Sequence, residues 1–281
     1  MEKIAIISDV HGNLEALNTV LKDIKKRNIT RIFCLGDIIG KGSFPHECIK
    51  IIKDNCEVVL IGNNDDAFTA NKSGFELKEV DLKRLEWNQS LITEEDKNYL
   101  ANLPYSFEFY MSGSLIRLFH ATPTKLDGFC ASYNDFNLKY EMFLPSKNTI
   151  SDKRADVVIY GHRHTSYVEK LFNRTLINIG SVGNNVSIIR SDARDAKNQE
   201  TTRASYLIIE GDYGAKEYKS SFSYQFVDIP YNIEKELANI KPNFESDIYK
   251  LELTEGKFRN MTRVYNQLRA NGINPDEFEN P

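Results

Sequence analysis

The chain has 281 residues, of which 41% are hydrophobic and 27% charged, an ordinary composition for one large globular domain with an extension or for two modest domains. A formal net charge of −4 argues against a general binder of extended nucleic acid or anionic membranes, but leaves room for a short nucleotide bound locally. No apolar run approaches the length of a membrane span, and the N-terminal residues lack signal-peptide features.

The first sixty residues alternate between strand and helix patterns. Residues 4–7 are continuously apolar, as expected for a strand buried on both faces. Apolar residues at helical spacing follow, and Asn13 is placed to cap that helix. Strands are also predicted over residues 31–35 and 58–61, with a helix around residues 46–53 between them. Strands that alternate with helices predict crossover connections and a largely parallel sheet.

The middle of the chain predicts helices and then further strands. A polar helical pattern covers residues 66–102, and Thr93-Glu94-Glu95-Asp96 within it is typical of a capped helix start. Residues 105–110 and 115–119 predict a hairpin around Ser112-Gly113. Other predicted strands cover residues 157–160, 175–179, 204–210 and 216–227. Residues 191–202 contain hardly an apolar side chain, so we predict an exposed loop there.

The residues after position 227 differ in character. Helices are predicted over residues 231–240, 245–253 and 257–270, and they carry several tyrosines and phenylalanines. About fifty residues bury too little surface to be comfortably stable alone. We therefore predict a main domain over residues 1–227 and a helical C-terminal extension over 228–281 that packs on it. Its aromatic side chains suit either packing on the main domain or stacking on a base.

The four cysteines indicate the cellular compartment. They form no C-x-x-C pair, and Cys34, Cys48 and Cys56 lie in apolar or helical patterns. A buried free thiol is the default interpretation of such positions. We therefore expect a soluble, cytoplasmic protein.

Polar residues follow several predicted strands at the points where the strands end. They are Asp9 and His11, then Asp37, then Asn63, Asn64 and Asp65, then His120, and finally His162 and His164. This set uses four of the five histidines, and only His46, a predicted exposed helix residue, lies outside it. In open α/β sheets, ligands bind beyond the carboxyl ends of strands, so we expect these side chains to share one crevice.

Such a crevice needs positive charge. Two carboxylates, an amide oxygen and four imidazoles cannot share a dry site without a counter-charge, which metal ions supply. Seven ligands are too many for one ion but suit two ions that share a bridging carboxylate. Oxygen and nitrogen ligands without thiolate favour manganese, with iron or zinc as alternatives. Each motif alone has an ordinary explanation, such as a turn at Gly36-Asp37, and the interpretation depends on their joint occurrence.

These motifs resemble those of the calcineurin-like metallophosphoesterases. The motifs are D-x-H (Asp9, His11), G-D-x-x-G (Gly36, Asp37, Gly40), G-N-x-D (Gly62, Asn63, Asp65), a strand-end histidine (His120) and G-H-x-H (Gly161, His162, His164). The resemblance implies an α/β fold, namely an αββα sandwich, with a dinuclear metal centre. It assigns Asp9, His11, Asp37 and His164 to one ion, and Asp37, Asn63, His120 and His162 to the other.

Within the family, the chain is similar to compact bacterial, diadenosine-tetraphosphatase-like phosphoesterases, through the stretches GSVGNN (180–185) and LANLP (100–104). The resemblance implies hydrolysis of phosphoanhydride or phosphodiester bonds in small nucleotide-type substrates by metal-activated water. A dinucleoside polyphosphate is the first candidate. Asp37, His11 and Asn64 are the candidate catalytic residues, and spacing alone leaves open whether His11 is a metal ligand or a neighbour of the ligands.

Two positions depart from the family pattern. Asn64 stands where many members have a histidine near the leaving group, and an amide cannot donate a proton at neutral pH. Ile61 stands where related protein phosphatases have a phosphate-binding arginine. Two alternatives stay open: a phosphomonoesterase or protein phosphatase, and a catalytically weak metal-binding scaffold that binds a partner through the C-terminal helices.

Overall fold

Two five-stranded sheets form the centre of the molecule. The computed structural model describes residues 1–69, 79–128, 136–186, 202–256, 269–270 and 272. With strands numbered in chain order, the first sheet contains β1 (Glu2–Ile7), β2 (Arg31–Cys34), β3 (Val58–Val59), β9 (Ala204–Gly211) and β10 (Ser223–Ile229). The second contains β4 (Ser106–Met111), β5 (Ser114–Phe119), β6 (Val157–Tyr160), β7 (Ser166–Leu171) and β8 (Arg174–Ile179). The spatial orders are β10-β9-β1-β2-β3 and β4-β5-β6-β8-β7.

Helices cover the outer faces of the sheets. They are α1 (Leu14–Lys26), α2 (Pro45–Asn55), α3 (Asn63–Thr69), α4 (Glu79–Ser90), α5 (Glu94–Ala101), α6 (Phe136–Glu141), α7 (Ile233–Ala238) and α8 (Ser246–Glu255). Two of the predicted caps are confirmed: Asn13 accepts a hydrogen bond from the Ala16 amide, and Thr93 forms a capping box with Asp96. Among the helices of the described ranges, none combines the length and apolar character needed to cross a membrane.

The alternation of side chains along β1 explains the layering. Ile4 and Ile6 face the second sheet and join an apolar layer that includes Ile116 and Leu118. Ala5 and Ile7 face the opposite way, toward the apolar sides of α1 and α2. A third apolar cluster lies on the outer face of the second sheet, next to α6. Because successive strand residues point to opposite faces, a fully apolar strand is buried on both sides. The predicted αββα sandwich is confirmed.

Parallel pairing brings the ends of six strands to one edge of the sandwich. Strands β1, β2 and β3 run parallel to one another in the first sheet. Strands β5, β6 and β8 run parallel in the second. The loops that follow these strands therefore leave both sheets on the same side, where a ligand site is expected.

The strand predictions need two corrections. The prediction over residues 216–227 is wrong for its first seven positions, because β10 begins at Ser223 and continues to Ile229, past the predicted domain boundary at residue 227. Strand β7 was not predicted. Within the described residues, β7 pairs with β8 alone and is half-exposed, so no continuous apolar run marks it in the sequence. It turns into β8 through Phe172, whose φ is 53°, so no glycine marks the turn either. Most of the predicted loop 191–202 and helix 257–270 lies outside the described residues.

The described part of the C-terminal extension packs against the main sandwich. Tyr249 and Leu253 of α8 form an apolar cluster with Ile233 of α7. The main-chain oxygen of Leu253 accepts a hydrogen bond from the Thr202 amide, and the Tyr231 hydroxyl accepts one from Asn13. These contacts favour packing over base stacking for Tyr231 and Tyr249.

One buried ion pair holds the second sheet to the segment that follows α6. Arg117 of β5 is fully buried and donates through Nη2 to Glu108 Oε2 on β4, at 2.7 Å. Its other donors reach the main-chain oxygens of Phe143, Leu144 and Lys153 at 2.8–3.0 Å. Arg117 thus joins β4 and β5 to residues 143–153, and the planar guanidinium offers enough donors to reach all of these acceptors at once.

We expect Arg117→Met to lower the free energy of unfolding by about 3–5 kcal/mol, because the buried Glu108 loses its charged partner and keeps only the amides of Ile150 and Ser151 as donors among the described residues. The matched control is Arg27→Met, which breaks an exposed pair with Asp23 on α1 and should cost about 1 kcal/mol or less. Urea unfolding followed by circular dichroism measures both. Equal losses in the two variants would contradict the assigned role of Arg117.

Candidate metal centre

The strand-end loops bring the predicted ligands together in two groups. Asp9, His11 and His164 each offer one ligand atom, and these atoms lie within 4.8 Å of one another. Asp37, His120 and His162 form the second group by the same measure.

Asp37 connects the two groups, and Asn63 joins the second. The Oδ2 atom of Asp37 lies 3.8 Å from His11 Nε2 and 3.5 Å from His120 Nε2, so it faces both. Asn63 Oδ1 lies 3.0 Å from His120 Nε2 and 2.9 Å from His162 Nδ1. All seven predicted ligands therefore border one site, whereas His46 lies on α2 beside Asp96 and belongs to neither group.

Five of these side chains stand on left-handed backbone. Their φ values lie between 51° and 65°, in Asp9, His11, Asp37, His162 and His164. Non-glycine residues adopt this region only where the surroundings determine it, and such residues concentrate at functional sites. Main-chain hydrogen bonds between the loops impose it here: the Asp9 amide donates to Gly36, and the His11 amide to Asp37. The loop after β1 is thus held in register with the loop after β2.

The glycine before His162 is required by a close approach to Asp9. A Cβ atom on Gly161 would lie 2.5 Å from Asp9 Oδ2 and would also overlap Ser8. The approach allows the His162 amide to donate to the same Asp9 oxygen at 2.9 Å. The glycine of G-H-x-H therefore brings the β6 loop against the β1 loop and satisfies one oxygen of Asp9.

The first group collects hydrogen-bond acceptors that face one another. The Nδ1 atoms of His11 and His164 lie next to the main-chain oxygens of Ile39 and Asn184, at 3.2 and 2.7 Å. A carbonyl oxygen only accepts, so Nδ1 of each ring carries a proton, and in the neutral form of either ring Nε2 presents a lone pair. The two Nε2 atoms are 2.9 Å apart.

Asp9 adds a third acceptor to this group. Its Oδ1 lies 3.3 Å from His164 Nε2 and is buried without a hydrogen-bond donor in the described part of the chain. Three acceptors that converge on one point repel one another unless a cation lies between them. The residues of this group therefore fit a metal ion.

The pKa values of Asp9 and His11 in the first group also favour metal binding. Burial alone would raise the pKa of Asp9, but the neighbouring His164 lowers it to about 2, so the carboxylate stays ionised. Burial, reinforced by His164, lowers the pKa of His11 to about 3. At neutral pH the group therefore holds an anionic oxygen and a neutral imidazole, the forms that bind metal.

In the second group, a proton on His120 supplies the positive charge that the ionised Asp37 needs. Burial would raise the pKa of Asp37, but the neighbouring His120 holds it well below its usual range. Burial would lower the pKa of His120, yet Asp37 raises it to about 9. Burial and the nearby His120 lower the pKa of His162 to about 4. The protonated His120 ring thus neutralises Asp37 by the same electrostatics that would favour a metal ion there.

Comparisons with known proteins agree with this geometry. Residues 2–212 match the family described as the calcineurin-like phosphoesterase superfamily domain. The chain belongs to the calcineurin-like phosphoesterase superfamily. Members of this superfamily are metal-dependent hydrolases, and the chain carries two candidate metal-binding groups. The narrower bacterial branch stays a prediction.

Individual relatives extend the similarity over most of the chain. An uncharacterised protein of Methanocaldococcus jannaschii is 31% identical over 256 residues, covering 85% of this chain and 92% of the relative. A metallophosphoesterase structure from Sphaerobacter thermophilus has a TM-score of 0.61 at 21% identity, covering 99% of this chain and 97% of the other. A hypothetical protein from Pyrococcus horikoshii has a TM-score of 0.68 at 15% identity, covering 92% and 100%. The two structures show a shared fold.

Asn64 contacts the carboxylate between the two groups of this phosphoesterase site. Its main-chain amide donates to Asp37 Oδ1 at 2.8 Å, and its Nδ2 donates to Asp37 Oδ2 at 2.5 Å. The side chain is half-buried, so it also borders solvent. The predicted contact of Asn64 with a substrate phosphate stays a prediction, and the observed contact is with Asp37.

The sequence patterns did not assign a role to three residues around the site. Asp65, the last residue of G-N-x-D, is fully buried and accepts hydrogen bonds from the amides of Ile38, Ile39 and Gly62. Ser181 and Asn184 follow β8: Ser181 Oγ donates to the Asp9 carbonyl, and the Asn184 carbonyl accepts from His164. Ser181 and Asn184 lie in the stretch GSVGNN, directly after a predicted buried strand. The pattern that identified the other site residues, polar side chains at a strand end, would therefore have identified these two as well.

We expect Asp65→Ala to lower the free energy of unfolding by about 3 kcal/mol, since three buried amides lose their acceptor. Asp65→Asn should cost less because one acceptor oxygen remains. The control is Asp66→Ala, which removes an exposed carboxylate next to it and should change stability by about 0.5 kcal/mol or less. Urea titration of the metal-free proteins gives the free energies of unfolding. Similar losses at positions 65 and 66 would disprove the role of Asp65 as the acceptor for these amides.

Proposed function

We propose that the protein is a two-metal phosphoesterase that hydrolyses phosphoanhydride or phosphodiester bonds of small nucleotide-type substrates. The observation that carries the proposal is the pair of buried ligand groups that face one another across Asp37. When bound, two divalent cations activate water and neutralise the phosphoryl oxygens during in-line displacement. The chain's own residues supply ligands, orientation and substrate contacts.

We assign Asp9, His11 and His164 to one ion and Asn63, His120 and His162 to the other, with Asp37 shared between them. The position of Asp37 Oδ2, between His11 and His120, supports the shared role. The Nε2 lone pair of His11, directed at His164, supports a ligand role for His11. Manganese is the first metal to test and iron or zinc the next, because the ligands are oxygens and imidazole nitrogens without thiolate.

Asn64 orients the shared carboxylate and lies where a substrate phosphate would arrive. Its two hydrogen bonds fix both oxygens of Asp37. The amide can donate a hydrogen bond to a phosphoryl oxygen but has no proton to transfer to a leaving group. The site therefore favours bonds whose leaving group needs little protonation, such as the nucleotide expelled from a phosphoanhydride.

A cleft beside Asn63 offers space for the rest of such a substrate. Its volume is about 560 Å³, within the usual range for small-molecule sites. Its lining includes the apolar side chains of Ile61 and Leu103 and the ring of Tyr105, together with Lys147 and the carboxylates of Asp66 and Asp127. The apolar and aromatic side chains suit a base, and Lys147, whose Nζ lies 5.2 Å from the centre of the Tyr105 ring, offers a cation to a phosphate. These features support a dinucleoside polyphosphate as the first candidate and a nucleotide phosphodiester as the second.

The alternative functions differ in measurable ways. A protein phosphatase of the related type would have an arginine at the position of Ile61, which here is buried beside the cleft. A catalytically weak metal-binding scaffold would keep the ligand set around Asp37 and bind metal, but would hydrolyse an aryl phosphate ester poorly or not at all. Both alternatives are outcomes of the experiments that follow.

We expect the metal-loaded protein to contain two ions per chain and Asp37→Asn to lose at least one ion and most activity, because the shared carboxylate loses its charge. Elemental analysis after manganese loading, with turnover of an aryl phosphodiester, measures both. The control is Asp66→Asn, which changes an exposed carboxylate at the cleft and should retain two ions. Less than one ion in the wild type, or normal turnover in Asp37→Asn, would refute the two-metal proposal.

For the wild type, we expect higher catalytic efficiency on diadenosine tetraphosphate and on an aryl phosphodiester than on a phosphoserine peptide. Asn64→His should raise the efficiency on the peptide relative to the aryl ester by about tenfold to a hundredfold, since general-acid catalysis helps poor leaving groups most. Asn64→Ala removes the amide without adding an acid and serves as the control. If the phosphopeptide is the best wild-type substrate, the leaving-group argument is wrong.

A further inference from the structure

The direction of His164 Nε2 depends on a single main-chain oxygen. His164 Nδ1 donates to the Asn184 carbonyl at 2.7 Å, and this bond leaves Nε2 available toward Asp9 and His11. In metal sites, the partner of the second ring nitrogen sets the tautomer and the orientation of a histidine ligand. Whatever holds Asn184 in place therefore also orients His164.

Asn184 is held from two sides. Its main-chain amide donates to Ser181 Oγ at 2.8 Å, which ties it to its own loop. Its side-chain Nδ2 donates to Glu252 Oε2 at 2.7 Å, across 68 positions of sequence. Asn184 is fully buried and Glu252 is 2% exposed, so water does not compete effectively for this hydrogen bond.

The same Glu252 oxygen also binds the loop that carries Asp37. Lys41 Nζ lies 2.7 Å from Glu252 Oε2, and Lys41 follows Asp37 by four residues. The next residue, Gly42, donates its amide to the His11 carbonyl at 2.6 Å. The ammonium compensates the buried carboxylate, and the pair links the C-terminal extension to both sides of the ligand site.

The rest of α8 fixes where the Glu252 carboxylate lies. Arg84 of α4 binds Glu245, just before α8, through two hydrogen bonds of 2.6 and 2.9 Å. On the C-terminal side, the Leu253 carbonyl accepts from the Thr202 amide at 3.1 Å. Glu252 therefore belongs to an anchored helix and can orient another group.

We propose that Glu252 is a positioning residue of the metal centre, which holds the Asn184 carbonyl in place and through it directs His164 Nε2 at one metal ion. The inference rests on the two-metal function proposed above and assigns the C-terminal extension a part in it. Glu252 touches neither metal nor substrate, so its effect is on metal affinity first and on turnover through the metal.

The experiment measures manganese binding to the metal-free variants by isothermal titration calorimetry, with electron paramagnetic resonance of free Mn²⁺ as a second readout. Glu252→Leu should weaken one of the two ions by about tenfold to a hundredfold, the usual effect of removing such a partner, and leave the other near its wild-type affinity. Glu252→Gln keeps an acceptor for Asn184, so its loss should be smaller.

Two further variants separate positioning from general destabilisation. Asp247→Asn weakens an exposed ion pair with Lys250 on the same helix and should leave both affinities within about twofold of wild type. Asn184→Ala removes the Nδ2 donor but keeps the main-chain carbonyl, and should reproduce the Glu252→Leu loss. The double variant should bind no more weakly than the weaker single variant, because both remove the same link. If Glu252→Leu does not fold by circular dichroism, Asn184→Ala and Glu252→Gln decide the question.

The outcomes distinguish this inference from the function on which it rests. If the wild type fails to bind two ions, the two-metal proposal fails. If the wild type binds two ions and the foldable variants at positions 252 and 184 bind them equally well, only the positioning role is overturned. A loss in Asp247→Asn as large as in Glu252→Leu would also overturn it, since a general change in α8 would then explain the effect.

Discussion

The mutual repulsion of buried acceptors governs the organisation of this protein. Asp9 and Asp37 remain ionised away from water, and the imidazole lone pairs of His11 and His164 face one another beside them. Such an arrangement is unfavourable by itself, because each buried acceptor has lost its water. It is held by the surrounding structure and becomes favourable when cations occupy it. Most features of the ligand loops are ways of keeping these groups together.

The two sheets provide the rigid frame that holds them. The apolar layer between the sheets, which contains Ile4 and Ile6 of β1, fixes the strands relative to one another. Parallel pairing then directs the loops of both sheets to one edge, and left-handed residues at the loop ends turn the side chains inward. The backbone strain of those residues is offset by the hydrogen bonds between loops and by the packed core. Stability is thus concentrated in the sheets and strain in the site.

Residues outside the family motifs also contact or border the ligand loops. Residues 2–212 match the superfamily domain, whereas α7 and α8 lie beyond it. Helix α8 nevertheless supplies Glu252, which contacts both the Asp37 loop, through Lys41, and the loop that orients His164. On another side of the site, the cleft beside Asn63 combines apolar walls with a lysine. The strand-end loops thus carry the candidate ligands, and residues outside the family motifs contact these loops.

The sequence alone determined the list of candidate ligands, because polar residues directly after strand ends form a local pattern, and the resemblance of these motifs to a known family implied the αββα fold. Apolar periodicity and the helix caps at Asn13 and Thr93 determined many of the individual strands and helices. The sequence did not reveal strand β7, whose half-exposed residues lack a strong pattern, or the true start of β10. The tertiary structure alone decided that Asp65 binds three amides and that Glu252 reaches Asn184. These contacts join segments that are distant in the chain, and no local pattern encodes a distance that exists only after the sheets and helices have packed.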